Sequence, residues 1–263
     1  MHNIISYIIV FIFGSVIGSF LNVCIYRIPR NISIIMPSSR CPSCDIPVRP
    51  SDNIPILSYI LLGGRCRICK ARISFRYPLV EFLNAIIYVL VLWRFGFGWH
   101  TPVYFVFCSS LIVISFIDLD FQIIPDVITL PGIPIGIMFG GFLLLNPFMR
   151  SLSLGIKSSL MGAFIGFGLF YLVAVAGLHI FKKEALGGGD IKLMAMIGGF
   201  LGWKGVILTT FLGSLSGAIV GVLVILFKGK EKGSRIPFGP FLALGSVITL
   251  FYGQEIFYWY LGR

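Results

Sequence analysis

Apolar runs of close to 20 residues recur from one end of the chain to the other, and they constrain its fold more than any other feature. The first extends from Ile4 to about Tyr26, and the next two cover about 79–97 and 102–117. Others occupy about 127–146, 157–180, 205–227 and 238–262, with a shorter apolar piece at 191–202. A helix needs roughly 20 apolar residues to cross the hydrocarbon core of a bilayer. Inside lipid, only a helix or a closed barrel satisfies every backbone polar group. The runs therefore predict an all-α polytopic membrane protein with about eight transmembrane helices. Composition agrees: 57% hydrophobic and 12% charged residues over 263 positions are too apolar for a water-soluble domain of this size.

Basic residues set the orientation. No basic residue precedes the first run and no small-residue cleavage site closes it, so it reads as a membrane helix, not a removable signal. Arg27, Arg30, Arg40, Arg49, Arg65, Arg67, Lys70, Arg72 and Arg76 follow it in one polar loop, which the positive-inside rule assigns to the cytoplasm. The N-terminus is then outside, and alternation through eight spans places 16 of the 21 Lys and Arg inside. The net charge of +11 is accounted for by topology and contact with anionic membrane lipids, so no nucleic-acid partner is expected. Three segments follow: a first transmembrane helix at 1–26, a cytoplasmic loop at 27–78, and a transmembrane bundle at 79–263. Gly14 and Gly18, then Gly213, Gly217 and Gly221, stand at helical spacing and predict close helix packing. No feature sets an oligomeric state.

The loop holds half of the 14 Pro and four of the six Cys. Cys41-Pro-Ser-Cys44 and Cys66-Arg-Ile-Cys69 are two C-x-x-C knuckles separated by 21 residues, which predicts a tetrahedral zinc site with four thiolate ligands. Disulfides are the rival reading, and a reducing compartment disfavours them. Arg65, Arg67 and Lys70 favour thiolates electrostatically. Four protein ligands leave no open position, so the zinc is expected to be structural. Cys24 and Cys108 lie in apolar runs and read as small buried hydrophobes.

Ten Asp and Glu in the whole chain make each one legible. Three stand in Asp118-Leu-Asp120-Phe-Gln-Ile-Ile-Pro-Asp126, and another ends Gly187-Gly-Gly-Asp190. Asp126 fits an N-cap ahead of Val127 and Asp120 fits a water-facing position. Asp118 and Asp190 reach the same membrane face, where ionisable groups are costly and functional by default. Paired carboxylates can activate water for amide hydrolysis. The three glycines predict open backbone beside Asp190, accessible to a peptide and a water. Helix polarity separates the two roles. Asp118 ends an outside-to-inside helix and is expected to act as the acid, whereas Asp190 begins a helix and is expected to act as the base. The three His residues form no H-E-x-x-H motif and offer no serine a positioned base, which removes two other protease chemistries.

The chain resembles the bacterial prepilin peptidases, G-x-G-D aspartyl intramembrane proteases. The resemblance runs through Gly18-Ser-Phe-Leu-Asn-Val-Cys-Ile-Tyr-Arg-Ile-Pro29, Ser39-Arg-Cys-Pro-Ser-Cys44 and Asp52-Asn-Ile-Pro-Ile-Leu-Ser58. It continues in Arg76-Tyr-Pro-Leu-Val-Glu81, both aspartate motifs and Ile236-Pro-Phe-Gly-Pro-Phe-Leu-Ala243. It implies that Asp118 and Asp190 are catalytic, and that the substrates are type IV prepilins or pseudopilins cut after a leader glycine at the cytoplasmic face of the inner membrane. It also implies S-adenosylmethionine as the donor for N-methylation of the new N-terminus, with Asn22, Arg27, Asp52 and Glu81 around the donor. A polytopic transporter using membrane carboxylates is the alternative from another class. It is disfavoured by the absence of an evident repeat between halves and by the location of both aspartates at one face.

Overall fold

A computed structural model describes residues 3–36, 38–182, 186–228 and 236–261. It divides into two compact units, Met1–Val113 and Ile114–Arg263. Helices α1 (Ile4–Arg27), α2 (Leu57–Leu61) and α3 (Arg76–Phe95) belong to the first unit, and α4 (His100–Phe121) begins in it. The second unit contains the end of α4, then α5 (Asp126–Phe142), α6 (Ile156–Phe181), α7 (Gly188–Lys228) and α8 (Gly239–Leu261). Among the described residues, six helical stretches are long and apolar enough to cross a membrane, and Asp126–Phe142 is a shorter apolar helix. Helix α7 is two helical segments joined across a kink at Gly202, whose φ of 73° is left-handed. With α7 counted as two segments and the shorter α5 included, the apolar helical pieces among the described residues number eight. Residues 262 and 263, the end of the expected 79–263 bundle, lie outside the described residues.

In the first unit α1 lies directly on α3. A Cβ on Gly14 would stand 2.8 Å from the Ala85 Cα, and one on Gly18 would stand 2.6 Å from the Glu81 Cα. Any side chain there would force the backbones apart, which is the packing role expected of these glycines. The close approach also makes a buried polar chain possible. Asn84 donates to the Gly14 carbonyl at 2.7 Å, Ser109 donates to Asn84 Oδ1 at 2.9 Å, and Tyr88 meets Ser109 at 3.0 Å. With hydrocarbon outside and no water to substitute, each of these groups needs a protein partner. Tyr88 also stacks on Phe105 with centroids 3.9 Å apart.

In the second unit small residues again set the spacing. Gly162 of α6 and Gly198 of α7 face each other, and a Cβ on either would collide with the other's backbone carbonyl. The expected row on α7 meets the start of α8 and then the residues before it, with decreasing intimacy. A Cβ would stand 3.1 Å from Leu242 at Gly213, 3.5 Å from Phe241 at Gly217, and 3.8 Å from Ile236 at Gly221.

Two boundaries depart from the sequence reading. Helix α4 runs to Phe121, past the expected end at 117, so Asp118 sits on its last turn. Helix α5 stops at Phe142, and a short hairpin follows, β1 (Leu145–Asn146) antiparallel to β2 (Met149–Ser153). Pro147 cannot donate a helical hydrogen bond, and Asn146 Oδ1 accepts from the Phe148 N–H at 2.9 Å to form the turn.

Candidate functional site

Asp118 is on the last turn of α4 and only 5% exposed. Gln122, with a left-handed φ of 54°, ends the helix by donating its N–H to the Asp118 carbonyl at 2.9 Å. Residues 123–125 then lead into α5. Asp190 lies in the first turn of α7, and its Oδ2 accepts the Gly187 N–H at 3.2 Å while its own N–H bonds the Gly187 carbonyl at 3.1 Å. This is one half of a capping box, with Gly187 at the cap and the Asp190 side chain, third in the helix, reaching back to the cap N–H. Gly188 and Gly189 are therefore the first residues of a helix, which departs from the expected open backbone, while Gly187 and Gly188 stay exposed beside Asp190. Orphan N–H groups of a first turn need no ladder partner, so glycine costs little there. What Gly189 provides is proximity, because a Cβ on it would lie 2.7 Å from the Ile124 Cβ.

The two carboxyl groups gather around Ile124: a Cβ on Gly239, whose N–H faces Asp118, would stand 3.3 Å from Ile124 Cδ1, and one on Gly189, next to Asp190, would stand 2.7 Å from its Cβ. Asp118 Oδ2 accepts the Gly239 N–H at 2.9 Å, a bond between residues 121 positions apart. Asp190 Oδ1 is buried and has no hydrogen-bond partner among the described residues. A buried carboxylate oxygen in that state requires a water, a proton or a substrate donor. Helix polarity gave Asp118 one helix end; the fold supplies two, because the N-terminus of α8 faces it as well. Asp126 is the first residue of α5, not its cap: Pro125 holds the cap position, and no side-chain cap bond forms. Both Asp126 oxygens instead accept from Lys192 Nζ, at 2.7 and 2.8 Å. Asp120 is exposed. The sequence reading did not single out Gly239, Lys192 or Ile124. The prolines around Gly239 signal a turn, but no local signal says which side chain the turn faces.

In the first unit the four loop cysteines converge, with all sulfurs within 4.8 Å of one another and Cys41 Sγ 3.8 Å from Cys69 Sγ. A tetrahedral metal with bonds of about 2.3 Å holds its sulfurs about 3.8 Å apart, so the donor set fits zinc. The two knuckles fold alike. In the first, the Cys41 N–H bonds the Ile46 carbonyl and the Asp45 N–H bonds the Cys41 carbonyl; in the second, Cys66, Ala71 and Lys70 repeat the pattern. Asp45 and Lys70 both take left-handed φ, at 52° and 59°. The backbone N–H groups of Cys69 and Ile68 hold the Cys66 thiol down to about 6, toward the thiolate that a metal requires. Cys24 and Cys108 are buried free thiols, as their apolar runs implied.

A cleft of about 620 Å³ opens beside the knuckles, and Asn22, Arg27, Asp52 and Glu81 all line it. Asn22 donates to the Tyr77 carbonyl at 3.0 Å, and Arg27 donates to the Ser33 carbonyl at 2.8 Å. Arg67 grips Asp52 in a two-pronged pair at 2.6 and 2.8 Å. Glu81 Oε2 accepts the Ile56 N–H at 2.7 Å. Ile56 is the centre of a γ-turn, with φ 62° and ψ −52° and the Leu57 N–H 2.6 Å from the Pro55 carbonyl. That conformation is rare and costly for a branched side chain, and the buried Glu81 bond helps to hold it.

Fold and site together define a polytopic helical membrane protein with a four-thiol cluster in one unit and a carboxylate pair in the other. Residues 12–95 match the bacterial peptidase A24 N-terminal domain, and residues 105–222 match the type IV leader peptidase family. A Pseudomonas aeruginosa protein is 37% identical over 275 residues, covering 94% of this chain and 91% of that protein. One from Aeromonas hydrophila is 37% identical, covering 96% of this chain and 93% of that protein. One from Myxococcus xanthus is 40% identical, covering 85% and 64%. All three are named prepilin leader peptidase/N-methyltransferase. No solved structure matches the chain. The chain belongs to the type IV leader peptidase family. Nothing in these matches supports the transporter reading.

Proposed function

We propose that the chain is a membrane-embedded aspartyl endopeptidase that removes the leaders of type IV prepilins and pseudopilins at the cytoplasmic face of the inner membrane, and that it also methylates the new N-terminus. The observation that carries the proteolytic reading is the gathering of buried Asp118 and half-buried Asp190 around Ile124, with Asp190 Oδ1 lacking a hydrogen-bond partner among the described residues. In this mechanism one carboxyl group of the pair is ionised and the other holds a proton. The ionised member takes a proton from water as the water oxygen attacks the scissile carbonyl carbon. The protonated member gives its proton to the leaving nitrogen as the C–N bond breaks. The N-terminus is outside in this reading, which puts residues 27–78 and both aspartates on the cytoplasmic side.

The methyltransferase activity is assigned to the 27–78 loop and its cleft, and the peptidase to the 79–263 bundle. S-adenosylmethionine bound in the cleft would supply an electrophilic methyl group. The Glu81 carboxylate suits a sulfonium cation, whereas Asp52 is already paired with Arg67, and the cleft volume is within the range of small-molecule sites. Cys41, Cys44, Cys66 and Cys69 would hold a structural zinc that keeps the loop folded. Incubation of the purified protein in detergent with a purified prepilin tests the reading. Cleavage at the leader glycine is expected, with Asp118→Asn and Asp190→Asn each inactive yet still able to methylate an already cleaved pilin. Full cleavage by Asp118→Asn would remove the pair from the mechanism.

A further inference from the structure

The first turn of α8 has the sequence Phe238-Gly239-Pro240-Phe241. The Phe241 and Leu242 N–H groups bond the Phe238 carbonyl, and Pro240 has no N–H to offer. Gly239 therefore carries the N–H of this turn that points away from its own helix, and it donates that N–H to Asp118 Oδ2 at 2.9 Å. Gly239 is buried, and a Cβ on it would stand 2.6 Å from the same oxygen and 3.3 Å from Ile124 Cδ1. No real side chain fits at 2.6 Å without moving the carboxyl group. Asp190 Oδ2 is likewise held by a helix-terminal N–H, that of Gly187. Each aspartate thus has one oxygen tied to backbone at the start of a helix.

We propose that Gly239 is a positioning residue of the carboxylate pair: its N–H and its missing side chain lock Asp118 Oδ2, so that Asp118 turns its other oxygen toward the reaction while Asp190 presents Oδ1. This inference rests on the proteolytic reading above. The bond orients the acid before substrate arrives, and preorganisation of this kind acts on the chemical step more than on substrate binding. Gly239 touches neither water nor substrate in this role.

Gly239→Ala is compared with Gly217→Ala, a matched substitution on α7 where a Cβ makes only ordinary contact. For Gly239→Ala we expect kcat of leader cleavage to fall about 100-fold, with KM within about twofold and methyl transfer to a cleaved pilin unchanged. Gly217→Ala should keep both activities within about twofold. Should Gly239→Ala fail to fold, the Gly239 amide proton of the otherwise unaltered protein gives a second readout by nuclear magnetic resonance. It should move with pH across the range in which kcat changes, and the movement should vanish in Asp118→Asn. Near-normal kcat in Gly239→Ala, or a Gly239 amide indifferent to Asp118→Asn, overturns the inference. An active Asp118→Asn overturns the pair itself, so the two failures are distinguishable.

Discussion

Lys192 reaches from the first turns of α7 to both carboxylate oxygens of Asp126, at 2.7 and 2.8 Å, and so ties the start of α5 to the helix that carries Asp190. Ile124, two residues before Asp126, packs where Gly189 and Gly239 lack side chains, so the same short linker touches both backbone segments that hold the aspartates. The pair is partly exposed, and exposed ion pairs contribute about 0.2–1 kcal/mol. Lys192→Met and Asp126→Asn should each lower kcat by up to about fivefold, and the exchanged pair Asp126→Lys with Lys192→Asp should recover most of it. Asp120→Asn, at an exposed position, should stay close to the parent enzyme. Steady-state cleavage assays on the five proteins decide this, and an inactive Asp120→Asn would shift the first catalytic carboxylate by two positions.

Metal analysis of freshly purified protein should return about one zinc per chain. Cys41→Ser and Cys66→Ser, one from each knuckle, should lose it. A small domain folded around its metal loses stability with the metal, so limited proteolysis should cut residues 27–78 faster in both variants and after chelation. Leader cleavage should outlast methyl transfer under chelation, because the carboxylate pair lies in the other unit. Protein free of zinc as isolated would eliminate the four-thiolate site.

Glu81 accepts the Ile56 N–H within the cleft, and an amide oxygen could accept the same bond. Glu81→Gln should therefore keep the γ-turn but remove the charge, whereas Glu81→Ala should lose both. Methyl transfer is expected to fall in each variant, further in Glu81→Ala, while cleavage persists. Ile56→Gly removes the penalty of a branched residue at φ 62° and should leave loop stability equal or higher. Methyl transfer at the parent rate in Glu81→Gln would place the donor elsewhere.

The side-chain hydrogen bonds of Arg67 hold the Asp52 carboxyl below its ordinary range, and the Arg67 charge acts in the same direction. A carboxylate lowered in the folded state contributes stability that is fully present above its unfolded value of about 3.9 and is lost as pH falls through its folded value. Asp52→Asn should therefore weaken the loop at neutral pH. The difference from the parent protein should shrink as pH drops below about 4, which proteolysis rates across pH 3–7 would measure. A gap that widens in acid would contradict the pairing.

The helical membrane fold and the loop knuckles were legible from the sequence because their signals are local. A bilayer asks for an apolar run of about 20 residues at each crossing, and each C-x-x-C turn places its own two thiols by backbone geometry. Gly14 and Gly18 were legible for the same reason, since helical spacing puts them on one face whatever partner arrives. Asp118 and Asp190 stood out because carboxylates are scarce in so apolar a chain. Helix ends were less clear where chemistry and hydropathy diverge: α4 continues through Asp118 after the apolar run has ended, and Pro147 stops the chain in a hairpin where hydropathy alone continues it.

The tertiary structure alone decided what Asp118 and Asp126 touch. Asp126 reads as a cap from its neighbours, yet it pairs with Lys192, which lies 66 residues away. Asp118 reads as the end of one helix, yet the N–H that holds it comes from Gly239 in another. Sequence spacing governs contacts within a turn or along a face, because the helix repeat carries that information. A hydrogen bond across 121 positions depends on how separate helices pack, and that follows from the summed fit of glycine faces and side-chain volumes that no short stretch of the chain contains.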